Sequence, residues 1–335
     1  MRVRTILGLL ILKLLSGCAS LNSNQVENLE PPELTAEMSL GEVIEAGLDF
    51  GDKTLQKAKK LIDRKQDRQA AGVYLHREII EGQLRMPATR LINAMNLYQF
   101  AAYEKAPQLF YILSQSDRNL SQQLAWHLAA SMPSTAMGQQ VERTLSKAIA
   151  NNEIQQMYLP KMASAVASNK LIQSYTVVRQ GLFDSNHVDF VRAMITLDPR
   201  QASHDFIDYL AKASVSELRQ LSVKSVDVFA CMEIFKHLLS FPADVTHPRF
   251  EHLFLYSISR NNALADMSRK VLVSYLPVNN SHLALLLARM PNWVQVAFVE
   301  GSRRQLNPQI SLFLRELKKT TSQREVLEEI DHVIR

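Results

Sequence analysis

Apolar residues recur three and four positions apart through most of the chain, with polar residues filling the intervening faces. Leu120, Leu124, Leu128 and Met132 form one such ridge, and Val188, Val191 and Ile195 are followed by Phe206, Ile207 and Leu210. Leu264, Met267, Val271, Leu272 and Tyr275 form a third, then Leu283, Leu286, Leu287 and Met290, and then Ile310, Phe313, Leu314 and Leu317. This is the period of an amphipathic helix, not the alternation of a half-buried strand. Ser39 with Glu42, Ser214 with Glu217 and Ser322 with Glu325 each read as a capping box that opens a helix. Pro133, Pro160, Pro199, Pro242, Pro277 and Pro308 punctuate the pattern near expected helix ends, at gaps of 27 to 43 residues. Each gap accommodates two short helices and their turns.

Glycine strengthens that reading. Only 10 glycines occur in 335 residues, and none lies between Leu182 and Glu300. Tight hairpins draw on glycine for left-handed backbone, so a glycine-free span of this length argues against β-structure. The expected fold class is all-α. Hairpins of this size stacked side by side resemble degenerate HEAT-like helical repeats over roughly residues 85–320, which implies an α-solenoid. A compact multi-helix domain is the alternative.

The N-terminus has a different character. Arg2 and Arg4 precede an apolar run from Ile6 to Leu12, too short to span a bilayer, which needs roughly 20 apolar residues. The run closes on Leu15-Ser16-Gly17-Cys18. This stretch resembles the lipobox of bacterial lipoproteins, and the resemblance implies cleavage before Cys18, lipid attachment to its sulfur and acylation of the new amino group. The expected division is therefore residues 1–17 as a signal peptide, 18–38 as the lipidated N-terminus and a flexible tether, and 39–335 as the helical repeat domain. The tether is polar, carries Pro31 and Pro32, and has a reach of roughly 25 Å. Ala19 after the cysteine implies, on the same resemblance, the periplasmic face of the outer membrane.

Charge then narrows the partners. Losing residues 1–17 removes Arg2, Arg4 and Lys13 and no acid, leaving 35 basic against 33 acidic residues. A body so near neutrality gives no reason to expect nucleic acid. Between Asp52 and Arg68, however, Lys53, Lys57, Lys59, Lys60, Arg64, Lys65 and Arg68 face only Asp52, Asp63 and Asp67. That run reads as a solvated helix face, or alternatively as a contact for anionic lipid headgroups or glycan.

Candidate chemistry is sparse. With Cys18 lipidated, Cys231 has no partner, and Val228, Ile234, Phe235 and Leu238 place it on an apolar face as a buried thiol. His247-Pro248-Arg249-Phe250-Glu251-His252 has one residue too many for the zinc motif His-x-x-Glu-His. Walker loops, dinucleotide fingerprints and nucleophile elbows are absent from the sequence, as is the Glu-Ser pair of lytic transglycosylases. Trp126 and Trp293 are expected in the core, and Arg303 and Arg304 in a solvated loop, with contact to a partner as the alternative.

No catalytic residue, metal or cofactor is expected. The expected function is a non-catalytic, lipid-anchored scaffold or structural component of a cell-envelope complex, such as a secretion or envelope-assembly system. Its partners would be the membrane, through acyl chains on Cys18, and other envelope proteins, with peptidoglycan as a further candidate. The alternatives are an enzyme or enzyme activator acting on peptidoglycan or lipopolysaccharide, and a carrier with an apolar cavity.

Overall fold

The computed structural model describes residues 32–157 and 159–334, which fold as 18 α-helices joined by turns and three short 3-10 segments, with no strand among the described residues. In chain order these are α1 (Leu40–Asp49), α2 (Asp52–Arg64), α3 (Arg68–Gly82), α4 (Ala88–Ala101), α5 (Ala106–Ser114) and α6 (Asn119–Ser131). Next come α7 (Thr135–Ala150), α8 (Pro160–Ser168), α9 (Tyr175–Ser185), α10 (Val188–Leu197), α11 (Pro199–Leu210) and α12 (Val215–Leu218). The last six are α13 (Val228–Ser240), α14 (His252–Ser257), α15 (Asn262–Ala288), α16 (Asn292–Ser302), α17 (Pro308–Thr320) and α18 (Arg324–Ile334).

Local chemistry explains where many of them begin. Ser39 and Ser214 form the expected capping boxes, each side chain accepting from the backbone N–H three residues on while the glutamate reaches back. Asp198 and Asn307 cap α11 and α17 and are each followed by proline at the first helical position. At Ser322 the expectation meets a different arrangement: α18 starts at Arg324, and the Glu325 carboxylate accepts from Asn292 Nδ2 across the α16–α18 contact.

No described glycine adopts positive φ; the left-handed positions are held by Gln66, Ala102, Asn152, Lys170 and Asn186. Several glycines instead sit inside helices where a neighbour comes close. A Cβ on Gly47 would lie 3.0 Å from Ala58 Cβ, and one on Gly181 would lie 2.2 Å from Phe190 Cε1. In this chain glycine permits close packing and not tight turns.

Packing runs in a relay. Helix α4 packs on α6, α6 on α8, α8 on α10, α10 on α13, α13 on α15 and α15 on α17. A second series passes from α3 to α5 to α7, and further on from α11 to α14, α16 and α18. Every substantial helix–helix contact joins helices no more than three apart in the chain. The apolar ridges supply the seams: Leu128, Val191, Phe206, Ile207, Leu264, Leu283, Leu314 and Leu317 are fully buried. Each such side chain stabilises by about 1.5–3 kcal/mol relative to exposure. Aromatic pairs bridge successive helices, with Phe298 of α16 edge-on to Phe254 of α14 at 5.3 Å and to Phe313 of α17 at 5.8 Å.

Pro277 stands near a helix end, as expected of the prolines: α15 is two helical segments that meet at Asn279, where φ is −121° and ψ 20°. Proline lacks an N–H and crowds the preceding turn, which weakens the helix beside this break. Leu272, Tyr275 and Leu276 before the break and Leu283, Ala284 and Leu287 after it are buried, which holds both halves in one layer. By length and composition α15 could cross a membrane, but it packs against α13, α14 and α17.

Candidate interaction surface

Cys18, the residues before it and the tether as far as Pro31 lie outside the described residues. What is described of the tether touches the body: Leu34 and Met38 pack against the core, and Lys65 Nζ donates to the Met38 carbonyl. Met38, just before α1, therefore sits beside the C-terminal end of α2.

On α2 itself the periodicity separates two faces. Thr54, Leu55, Ala58, Leu61 and Ile62 are buried against the body, while Lys53, Gln56, Lys57, Lys60 and Arg64 form an exposed stripe three and four residues apart. None of those four cations has a carboxylate within salt-bridge distance among the described residues, whereas Asp63 is held by Arg68 at 2.7 Å. Lys59 and Arg68 turn away from the stripe, over the Phe100 ring. The result is a band of free positive charge on an otherwise near-neutral body.

Among the buried polar groups, the pair most suggestive of chemistry joins two residues well separated in the sequence. Ser203 Oγ and His237 Nε2 lie 3.0 Å apart although 34 residues separate them. Nε2 also lies 2.9 Å from the Pro199 carbonyl, which can only accept, so that nitrogen carries the hydrogen. The Ser203 hydroxyl donates to the Phe241 carbonyl at 2.8 Å. Burial holds His237 below its ordinary pKa. The imidazole is thus a donor and not a base toward the serine, and the pair clamps α11 to the end of α13.

Other clusters are also tied up. The buried Asp205 carboxylate accepts from Tyr175 Oη and from Arg179 Nε, each at 2.8 Å. Its neighbour Asp208 faces His247 Nε2 at 3.7 Å and Arg249 at 3.8 Å. His247 to Glu251 all precede α14, so His247 and His252 do not share a helix face, and no described His, Cys, Asp and Glu residues are grouped to hold a metal ion. The carboxylates that depart from the ordinary range are all held down. Ser39 does this for Glu42, Ser225 and Ser214 for Glu217, and Thr246 for Asp244. Burial works to raise Glu45, but Arg90 and Tyr74 outweigh it. None is the raised carboxyl that a general acid requires. Two open surface recesses, of about 410 Å³ beside Ser134 and Asn169 and about 370 Å³ beside His187 and Phe229, contain none of these groups.

The remaining expected residues divide. Cys231 is fully buried, and burial pushes its thiol up to about 12. Trp126 is in the core, edge-on to Phe110 at 5.1 Å. Trp293 is not: it is 39% exposed, with the Arg219 guanidinium 4.8 Å above its ring. It occupies the first turn of α16, and Val294, one residue on, takes the inward position instead. Arg303 and Arg304 form a 3-10 turn, where Arg303 pairs with Glu329 at 2.7 Å and Arg304 is exposed.

Compared with family models, curated proteins and solved structures, the chain matches none. The case for a function rests on the geometry and the sequence.

Proposed function

We propose that this protein is a lipid-anchored, non-catalytic scaffold of the bacterial cell envelope, whose helical hairpins stack as a HEAT-like α-solenoid and whose exterior binds other envelope proteins. The observation that carries the reading is the relay of contacts, in which every substantial helix–helix contact among the described residues joins helices no more than three apart in the chain. Stacking of that kind generates a long surface without requiring a central pocket. The Leu15-Ser16-Gly17-Cys18 stretch supports acylation at Cys18, which would hold the body at the membrane where its partners are.

Two experiments test the two halves. Small-angle scattering of the detergent-dispersed chain separates a stacked array from a compact domain. A globular body of this size has a radius of gyration of about 19 Å, and a solenoid exceeds it clearly. Isolation of the acylated protein from its native membrane tests the scaffold: stoichiometric recovery of envelope proteins is the expected result. Recovery of the chain alone, with turnover of muropeptides by the purified protein, refutes it in favour of a glycan-active enzyme.

A further inference from the structure

We infer that the basic stripe of α2, formed by Lys53, Lys57, Lys60 and Arg64, rests on the anionic headgroups of the bilayer that holds the anchor, and so fixes which end of the body faces the membrane. The inference builds on the anchored-scaffold reading. Three observations lead to it. The four cations are exposed on one helix face and lack salt-bridge partners among the described residues. The described approach to α1, on the Cys18 side of the body, is held at the C-terminal end of the same helix, because Lys65 grips the Met38 carbonyl there. Finally, Cys18 is only 14 residues before Pro32, the first described residue, and 14 residues of chain reach at most roughly 50 Å even when fully extended. The stripe is therefore held within reach of the lipid surface, where anionic headgroups attract Lys and Arg by about 1 kcal/mol each, about fivefold per residue.

Charge complementarity selects lipid over a protein partner. The stripe has no large apolar residue at its exposed positions: Lys53, Gln56, Lys57, Lys60 and Arg64 offer no anchor of the kind that dominates protein interfaces. Phosphate headgroups need none. Buried Leu55, Leu61 and Ile62 keep the opposite face committed to the body, so α2 lies on the surface without inserting.

The test uses the full chain purified from its native membrane, on vesicles of phosphatidylcholine alone or with one-third phosphatidylglycerol. Amine acetylation reads the exposure of Lys53, Lys57 and Lys60. Labelling should slow about fivefold on the anionic vesicles only, and the protection should vanish in high salt. A fluorophore attached through Gln56→Cys, possible because Cys231 is buried, should transfer energy to headgroup acceptors under the same conditions. The K53Q/K57Q/K60Q/R64Q variant should lose that transfer, and K53R/K57R/K60R should keep it.

Flotation with both vesicle types but equal labelling on each overturns the stripe and leaves the anchor standing. Flotation on anionic vesicles alone, with protection, supports the stripe and overturns the acyl anchor. No flotation on either overturns both. Protection by soluble peptidoglycan fragments, without dependence on phosphatidylglycerol, overturns the lipid assignment in favour of glycan.

Discussion

Replacing Gly181 by alanine should destabilise the protein, although the same change in most helices stabilises it. In an exposed helix interior Gly→Ala gains about 1 kcal/mol, because alanine leaves fewer unfolded conformations to lose. At Gly181 the new methyl would lie 2.2 Å from Phe190 Cε1, 2.7 Å from Cδ1 and 2.8 Å from Cζ. Phe190 is fully buried on α10, so its ring has little room to swing aside. Overpacking ordinarily costs about 1–3 kcal/mol, and an overlap this deep belongs at the upper end. Subtracting the helix gain leaves a net loss of about 2 kcal/mol. Gly41, whose Cβ would meet nothing within 4 Å, is the control, and Gly41→Ala should be neutral or stabilising. Urea denaturation measures the difference. Native-state hydrogen exchange adds its location: protection should fall over residues 175–197 and persist in α1 and α18, because substantial contacts pass only between near neighbours. A Gly181→Ala protein at least as stable as the original would refute the close approach of α9 to α10. Uniform loss of protection along the chain would refute the relay.

Cys231 should resist thiol reagents in the native protein and react once urea unfolds it, since its thiol is buried and raised to about 12; rapid native labelling would contradict its placement. Trp126→Ala should cost about 3–5 kcal/mol, whereas Trp293→Phe should leave stability nearly unchanged and remove the component of fluorescence that acrylamide quenches most readily. Acid should weaken the fold in two stages. His127, His237 and His252 are held below 6.5 by burial, so the unfolded chain binds more protons and stability falls as pH drops through 6.5; a denaturation midpoint unchanged from pH 7.5 to 5.5 would count against this. Glu217, held at about 2 by Ser225 and Ser214, adds stability that is complete above 4.5 and disappears as pH falls toward 2, and Glu217→Gln should flatten that second stage.

Helices, caps and buried faces were legible in the residues because they depend on spacing over a few positions. Ser39 and Ser214 met their glutamates as expected, and the ridges around Leu128, Val191 and Leu314 became seams. The double face of α2 could also be read there, since one helix carries both its apolar and its basic residues. Trp293 was misplaced for a related reason: indole is apolar enough to suggest burial, but only the position of Arg219, 74 residues earlier, supplies the guanidinium that covers its exposed ring. At Pro277 the residues foretold the break at Asn279, but only the packing shows that burial on both sides keeps the two segments in one layer.

The sequence by itself determined that the described body is helical, where charge collects along α2, and that Cys231 would be buried, since each follows from the periodicity of one segment or the scarcity of one residue type. Tertiary structure alone decided that Ser203 meets His237, that the approach to α1 lies beside Lys65, and that Phe190 lies over Gly181. Those are meetings between side chains of different segments, from 9 to 34 residues apart, governed by how whole faces fit together, and the periodicity of a single helix does not encode them.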